Sequence, residues 1–386
     1  MPALTAAGAQ RVSLELAEGL LDAGVDVDLV VGTDVGELRS EVPARARLFV
    51  LGRGRRVALC LPPLVAYLRS RRPRAVISCL DHMNILCIAA ARFVRPRPWV
   101  MVTEHNTLST SSRQSGDHRD HVMPHVMALA YRGADRIVAV SDGVADDLAR
   151  TARLPRARIH TVYNPVRFER VAAAAASPVD HPWLAPEAGP VVLAVGRLVA
   201  QKDYPTLLHA FVRLPESFRL IILGDGPDRS ALEKLVVDLG LAGKVDLHGF
   251  VDNPYPYFAA ADVFALSSRW EGLPTVLIEA LAFAAPIVAT DCPSGPLEIL
   301  EHGRWGRLVP VGDSAALADA IVDAAASPTP RPAGACDRYQ LGTVTRRYLD
   351  LLPSSVTGPP PTSAVGPGEA GDGGPPPGRG GQPTGR

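Results

Sequence analysis

Glu271 and Glu279 stand eight residues apart in SSRWEGLPTVLIEALAFAAP, residues 267–286. An apolar β-type run, Val263 to Leu266, leads into the polar loop that holds Glu271, and Pro274 then opens a helix that carries Glu279. The start of a helix has unpaired N–H groups that can receive a phosphate. Proline at the first helical position gives up no internal hydrogen bond, and two carboxylates can accept bonds from sugar hydroxyls. The set suits an anionic, hydroxyl-rich ligand, and a nucleotide-sugar has both halves. Such a pair can equally be a solvated loop residue and a helix-surface residue. TVLIEALAFAAP, however, is apolar almost all round and reads as buried, so Glu279 needs a partner there.

Cations stand at a matching place. VGRLVAQKDY puts Arg197 and Lys202 after a β-type run and before a helix, where both can reach a pyrophosphate, the arginine bidentately and the lysine as a point charge. The chain has only three lysines (Lys202, Lys234, Lys244), so one in this loop is informative. LGDGP, residues 223–227, is a strand-to-turn signal whose G-x-G is too short for a dinucleotide fingerprint. GFVDN, residues 249–253, is a strand-end loop suited to backbone contacts with a base, or a plain turn before a short helix. In VMVTEHNT a strand ends in Glu104, His105 and Asn106, and His105 is the first candidate for substrate contact in its half of the chain. His118, His121 and His125 match no H-E-x-x-H zinc pattern and read as a surface feature of one helix face.

The elements that must carry these residues alternate. Strand candidates Val27 to Val31, Leu48 to Leu51, Ala75 to Cys79, Trp99 to Thr103, Ile137 to Val140 and Ile159 to Val162 are interleaved with helices near 9–23, 57–70, 84–94, 120–132 and 143–152. A second series follows: Val191 to Val195, Leu220 to Leu223, Val245 to Leu247, Val263 to Leu266, Ile287 to Ala289 and Arg307 to Val309, with helices near 205–213, 228–239, 275–284, 295–301 and 314–326. Strands alternating with helices predict parallel sheets. The chain therefore divides into a Rossmann-like domain over 1–168, a linker over 169–190 where periodicity is lost, and a second Rossmann-like domain over 191–335. Two such domains imply a cleft, a preferred ligand site that hinge closure completes. At the start, Gly8 and a helix follow only seven residues, so the first strand is apparently missing. Either the start lies upstream of Met1 or the short MPALTAA replaces the strand; the former is the expectation, because loss of a central strand would leave neighbouring ladders unpaired.

Composition agrees with a globular protein: 386 residues, 47% hydrophobic and 21% charged. No apolar run reaches membrane-spanning length without interruption, and the start lacks a secretory pattern. Five scattered cysteines without C-x-x-C spacing point to reduced thiols rather than disulfides or zinc. The zero net charge hides an asymmetry. Residues 1–168 hold 23 Lys+Arg against 16 Asp+Glu, leaving 17 against 24 of the 40 and 40 in the chain. Seven arginines lie between Arg53 and Arg74, flanking VALCLPPLVAYL. That segment is a solvated helix face or a contact with an anionic bilayer or acceptor.

GR-L-x-x-QK-D, LGDGP, GFVDN, EGLPTVLIEA and DCPSGPLEIL, in this order and spacing, resemble the family 4 retaining glycosyltransferases of the GT-B fold. The likeness covers roughly residues 5–352 and is most specific over 190–310. PALTAAGAQR is similar to the family's Gly-rich opening, with Ala7 where a glycine is frequent, which leaves Gly8 for close backbone approach.

The resemblance implies roles. Arg197 and Lys202 would hold the donor diphosphate and neutralise the leaving group, so that no metal or other cofactor is needed. Glu271 would accept from hydroxyls of the transferred sugar, with backbone donors at Gly272, Leu273 and Thr275 of the segment Gly272 to Thr275. Glu279 would bind the ribose, Gly224, Phe250 and Val251 would line the nucleotide, and His105 would sit near the sugar at the reacting face. The implied reaction moves a hexosyl or N-acetylhexosaminyl group from a nucleotide-diphosphate donor, UDP by family preference, to a hydroxyl of a glycan or polyprenyl-linked acceptor. Configuration is retained by a same-face mechanism, since no carboxylate nucleophile for double displacement stands out. The expected setting is cytoplasmic, peripheral at the inner face of the plasma membrane, in polysaccharide or envelope synthesis, with no nucleic-acid partner. A nucleotide-sugar epimerase on the same fold and a non-catalytic sugar-nucleotide binder are the alternatives. Residues 336–352 resemble the family's terminal helix crossing back to the first domain, and the Pro/Gly-rich tail over 353–386 is expected to be disordered.

Overall fold

A computed structural model of the chain describes residues 1–5, 8–52, 57–110, 118–185, 188–327 and 334–357. Strands β1 (Asp28–Val31) and β2 (Arg47–Val50) form one parallel pair, and β3 (Ala75–Cys79), β4 (Trp99–Glu104), β5 (Arg136–Ala139) and β6 (Ile159–Thr161) form a parallel sheet in sequence order. Among the described residues no ladder joins β1 to β3. The opening residues run along the end of β1: Gly32 donates its N–H to the Met1 carbonyl at 3.0 Å and Thr33 to that of Pro2 at 3.1 Å. Leu4 is fully buried there.

β7 (Val191–Val195), β8 (Arg219–Leu223), β9 (Val245–Gly249), β10 (Val263–Leu266), β11 (Ile287–Thr290) and β12 (Arg307–Val309) make a six-stranded parallel sheet in the order β12-β11-β10-β7-β8-β9. Runs such as VVLAV and RLIIL are apolar on both faces because helices cover both sides. Strand order reverses between β7 and β10. Ligands of open α/β sheets lie outside the carboxyl ends of the strands at such a reversal, and the loops after β7 and β10 are those that hold Lys202 and Glu271.

Several elements differ from the sequence reading, each for a local reason. The stretch expected as a linker contains a helix, Phe168–Ala175. Its alanines favour the helix but give no apolar contrast, so periodicity misses it. Asn253 fixes its end by donating to the Ala174 carbonyl at 2.8 Å. The helix expected over 57–70 starts at Leu61, after a 3-10 turn over Val57–Cys60, since Pro62 and Pro63 fit only its first turn. The helix expected over 275–284 ends at Ala280 and continues as tightened turns, with Ala282 N–H on the Glu279 carbonyl and Phe283 N–H on that of Ala280. Pro274 precedes this helix as its N-cap rather than occupying its first position.

Two chain crossings connect the domains and are zipped together: Val166 donates its N–H to the Tyr339 carbonyl at 2.8 Å, beside the Arg338 guanidinium, which stacks on the rings of Tyr163, Trp305 and Tyr339. The terminal helix Leu341–Asp350 returns to helix Gly8–Asp22, where Leu16 and Leu20 pack with Val344 and Tyr348. A further short helix, Ser354–Thr357, buries Val356 against the same cluster, so the order of the chain extends past the expected start of the tail at 353. Residues beyond 357 lie outside the described residues, as do Arg53, Arg55 and Arg56 of the arginine-rich segment.

Candidate functional site

β7 and β10 are neighbours, so the loops that leave them meet. Lys202 Nζ donates to Glu271 Oε1 at 2.6 Å, Ser268 Oγ donates to the same oxygen at 2.7 Å, and Gln201 Nε2 reaches Oε2 at 3.3 Å. Glu271 is only 6% exposed. A carboxylate this buried is tolerable because an ammonium and two neutral donors satisfy it. The Ser267 hydroxyl on the Lys202 carbonyl, at 2.7 Å, ties the two loops together. Arg197 is exposed two residues past β7, and no side-chain partner holds it among the described residues.

Backbone packing under these loops explains the glycines. A Cβ on Gly224, which has φ 142°, would lie 2.0 Å from the Gly196 carbonyl oxygen. Gly224 N–H in turn donates to the Gly249 carbonyl at 2.7 Å. LGDGP and GFVDN are therefore stacked strand ends, and they leave the Phe250 ring 59% exposed beside the half-buried Val251.

Helix Thr275–Ala280 carries Glu279 on its side. Tyr255 OH donates to Glu279 Oε1 at 3.1 Å, supplying the partner that burial requires. Burial pushes this carboxyl up to about 7, while the Tyr255 bond and nearby Arg11 draw it back. A cavity of about 260 Å³ opens here, lined by Thr275, Glu279, Tyr255 and Asn253 on one side and by Arg11 and Glu15 on the other. Gly8 starts the helix that bears Arg11, and a Cβ there would meet nothing within 4 Å.

Gly272 is the point where the domains press together. A Cβ on it would fall 1.8 Å from the His105 carbonyl oxygen. Ser141 and Ser294 both donate to the Gly272 carbonyl, at 2.9 and 2.8 Å, and Asn164 Nδ2 donates to that of Leu273 at 3.1 Å. His105, half-buried, is thereby set opposite the Glu271 loop, and burial pulls its imidazole down to about 4, so it is neutral near pH 7. Behind it Glu104 is bonded by Tyr131 OH and by Asn84 Nδ2, and burial holds Glu104 up at about 7. The structure thus brings His105, Gly272, Leu273, Glu271 and Lys202 to one seam. Ser141, Asn164, Gln201, Ser268, Tyr255 and Ser294 complete it. Their type alone gave no signal, although Ser141 and Asn164 share with His105 a place just after a strand.

Among the described residues, one group has metal-ligand spacing: His181, Asp246 and His248. His181 Nδ1 accepts the Trp183 N–H at 3.2 Å, so the proton of a neutral ring sits on Nε2, which faces Asp246 at 3.0 Å. Tyr257 OH lies 2.9 Å from His248 Nε2. This is a self-satisfied hydrogen-bond cluster, and Nε2 of His181 has no lone pair to give a metal.

Two Rossmann-like domains that meet at one seam make the GT-B architecture. Residues 6–170 match the model described as Glycosyltransferase Family 4, and residues 189–327 match that described as Glycosyl transferases group 1. The chain belongs to the family 4 glycosyltransferases. It is 34% identical over 231 residues to the lipopolysaccharide core biosynthesis glycosyltransferase LpsE of Rhizobium meliloti, covering 58% of this chain and 66% of that one. Identity is also 34% over 186 residues, 48% of this chain, with a Campylobacter jejuni diphospho-undecaprenol 4-alpha-N-acetylgalactosaminyltransferase, of which 49% is covered. The chain thus spans less than two thirds of the length of these curated relatives. Its fold superimposes on Anabaena HepE solved with UDP, with TM-score 0.73 at 20% identity over 91% of this chain and 99% of that one.

Proposed function

We propose that the chain transfers a hexosyl or N-acetylhexosaminyl group from a UDP-sugar to a hydroxyl of a glycan or polyprenyl-linked acceptor, with retention of configuration and without a metal, in envelope or exopolysaccharide synthesis. The observation that carries the reading is the Lys202–Glu271 pair at the sheet's reversal point, one short helix from the Glu279 cavity. Relatives named for lipopolysaccharide and undecaprenol-linked glycan synthesis, and a structural neighbour solved with UDP, support donor and acceptor class.

In this reading the C-terminal domain holds the donor and the N-terminal domain the acceptor. Ribose hydroxyls donate to Glu279, and the base rests against Phe250 and Val251. The diphosphate takes the Lys202 ammonium and swings in Arg197, while first-turn N–H groups at Thr275 face it. Glu271, freed of part of its hold on Lys202, accepts from hydroxyls of the sugar. As the glycosidic C–O bond to phosphate lengthens, fixed positive charge stabilises the departing diphosphate. The acceptor oxygen attacks from the same face and its proton passes to the leaving phosphate oxygen. Neutral His105 lines that face.

The arginine-rich segment would approach an anionic membrane surface. Arg69, Arg71 and Arg72 are exposed there, but Arg71 is partly engaged by Asp28 at 3.3 Å. No described helix is long and apolar enough to cross a membrane.

The test is thermal unfolding with UDP, GDP or ADP at millimolar concentration. At a hundred times its Kd a nucleotide stabilises the native state by about 2.7 kcal/mol and raises Tm by several degrees. A shift by UDP alone is the expected result. Identical midpoints with all three and without nucleotide would remove the donor site from the proposal.

A further inference from the structure

β3 ends at Cys79, level with Thr103 of β4, and Thr103 is level with Val138 of β5. The residues just beyond share the carboxyl edge of one sheet: Asp81 and His82 after β3, His105 after β4, Ser141 after β5. The second and third of these positions meet the C-terminal domain at Gly272. The first holds a feature outside every motif considered above.

Leu80 joins β3 to helix Asp81–Arg92 with φ 74° and ψ 133°, a left-handed value that a bulky residue rarely adopts and that strains the turn. Asn84 holds the turn. Its N–H donates to the Leu80 carbonyl at 2.8 Å, and its fully buried amide donates to the Thr103 carbonyl at 3.0 Å and to Glu104 Oε1 at 2.8 Å. What the strained turn places is a dyad. Asp81 Oδ1 accepts the His82 backbone N–H at 2.7 Å and lies 2.8 Å from its Nδ1. Burial opposes the charge on Asp81, yet the two bonds from His82 leave its pKa below the ordinary value. An ionised carboxylate at Nδ1 fixes the imidazole proton there and leaves the lone pair on Nε2. That atom has no partner among the described residues, and the His82 side chain is 41% exposed.

We propose that His82 Nε2 accepts a hydroxyl of the acceptor sugar, making Asp81–His82 part of the acceptor subsite. The inference rests on the transferase reading given above. Neighbouring strands lie about 4.8 Å apart, so the dyad sits one strand along the edge from His105, beside which the donor sugar reacts. Two sugars exchanging a glycosyl bond must lie side by side, and this edge offers consecutive places for them. An acceptor held by such a bond discriminates against analogues that lack the hydroxyl.

The test compares wild type with His82→Ala, His82→Gln and Asp81→Asn. Calorimetry with UDP reports on fold and donor side, and all four proteins should bind it equally. UDP release from UDP-glucose and UDP-N-acetylglucosamine is then followed with methyl glycosides of glucose, galactose, mannose and N-acetylglucosamine as acceptor probes. Glycoside should stimulate release by the wild type. His82→Ala should raise KM for the glycoside roughly tenfold, more than it lowers kcat. His82→Gln, whose amide oxygen still accepts, should recover part of the loss, and Asp81→Asn should fall between. A glycoside KM unchanged in His82→Ala overturns the proposal, as does a wild type that binds UDP but responds to no glycoside. A wild type that fails to bind UDP ends the transferase reading itself, and this inference with it.

Discussion

Glu298 of the C-terminal domain accepts the backbone N–H of Gly143, in the N-terminal domain, at 2.8 Å on Oε1, and its Oε2 takes the N–H of Asp142 at 2.9 Å. One carboxylate thus caps helix Asp142–Thr151 from across the cleft. Burial raises the Glu298 pKa, and these two N–H bonds oppose the rise. Removing the cap in Glu298→Ala should cost about 1–2 kcal/mol and lower Tm by a few degrees. It should also loosen closure, read as a larger radius of gyration in solution scattering. A variant that matches wild type in both Tm and scattering would show that this contact does not hold the domains.

Lys202→Ala and Glu271→Ala are each expected to remove most transfer, roughly 10²–10³-fold, while the far-ultraviolet circular dichroism stays that of the wild type. Lys202→Ala leaves Glu271 buried on Ser268 and Gln201 alone, so it should also lower Tm. Near-wild-type turnover in either variant would dismiss the site.

Gly272→Ala tests the seam directly. Its Cβ has no room, because the His105 carbonyl oxygen would lie 1.8 Å away. The domains must part by more than an ångström or the loop must shift, and misplacement on that scale costs roughly 10²-fold in rate. UDP affinity should fall far less than kcat. Equal losses in both would place the damage in the donor loop instead.

A pH dependence follows from Glu279. Burial holds its carboxyl at about 7, against an ordinary 4.5. The native group therefore keeps its proton over a range in which the unfolded chain has released it. Its contribution to stability is complete below about 4.5 and declines as pH rises through about 7. Ribose hydroxyls that donate to it favour the ionised form. UDP binding should accordingly release a proton near neutrality, with affinity climbing from about pH 6 to about pH 8. Calorimetry in buffers of different ionisation enthalpy counts the proton. Glu279→Gln should abolish the count, and a wild type with no proton exchange over that range would separate Glu279 from the ribose.

Much of the fold is legible in the sequence because a parallel strand covered on both faces must be an apolar run, as in VVLAV and RLIIL, and glycines must mark strand ends that touch backbone to backbone, as Gly224 does on Gly196. What escapes is what lacks contrast. The alanines of Phe168–Ala175 hide a helix that sits between the domains, and the prolines, serines and glycines around Val356 conceal a residue that nonetheless buries itself in an apolar cluster. The serines and asparagine at the seam escape for another reason. Hydroxyls and amides are common on surfaces, and only the partner across the cleft distinguishes Ser141 or Asn164 from any other.

The sequence by itself determined the residue types of the donor loops, their order and their attachment to strand ends, because spacing along a chain fixes which side of a strand or helix a residue leaves from. Only the tertiary structure decided that the loops after β7 and β10 are neighbours, that Lys202 therefore reaches Glu271, and that Leu80 turns through a left-handed conformation to hold His82 on Asp81. Strand order in a sheet is set by how distant apolar faces pack, and residues 69 positions apart in sequence meet at 2.6 Å only after that packing is complete.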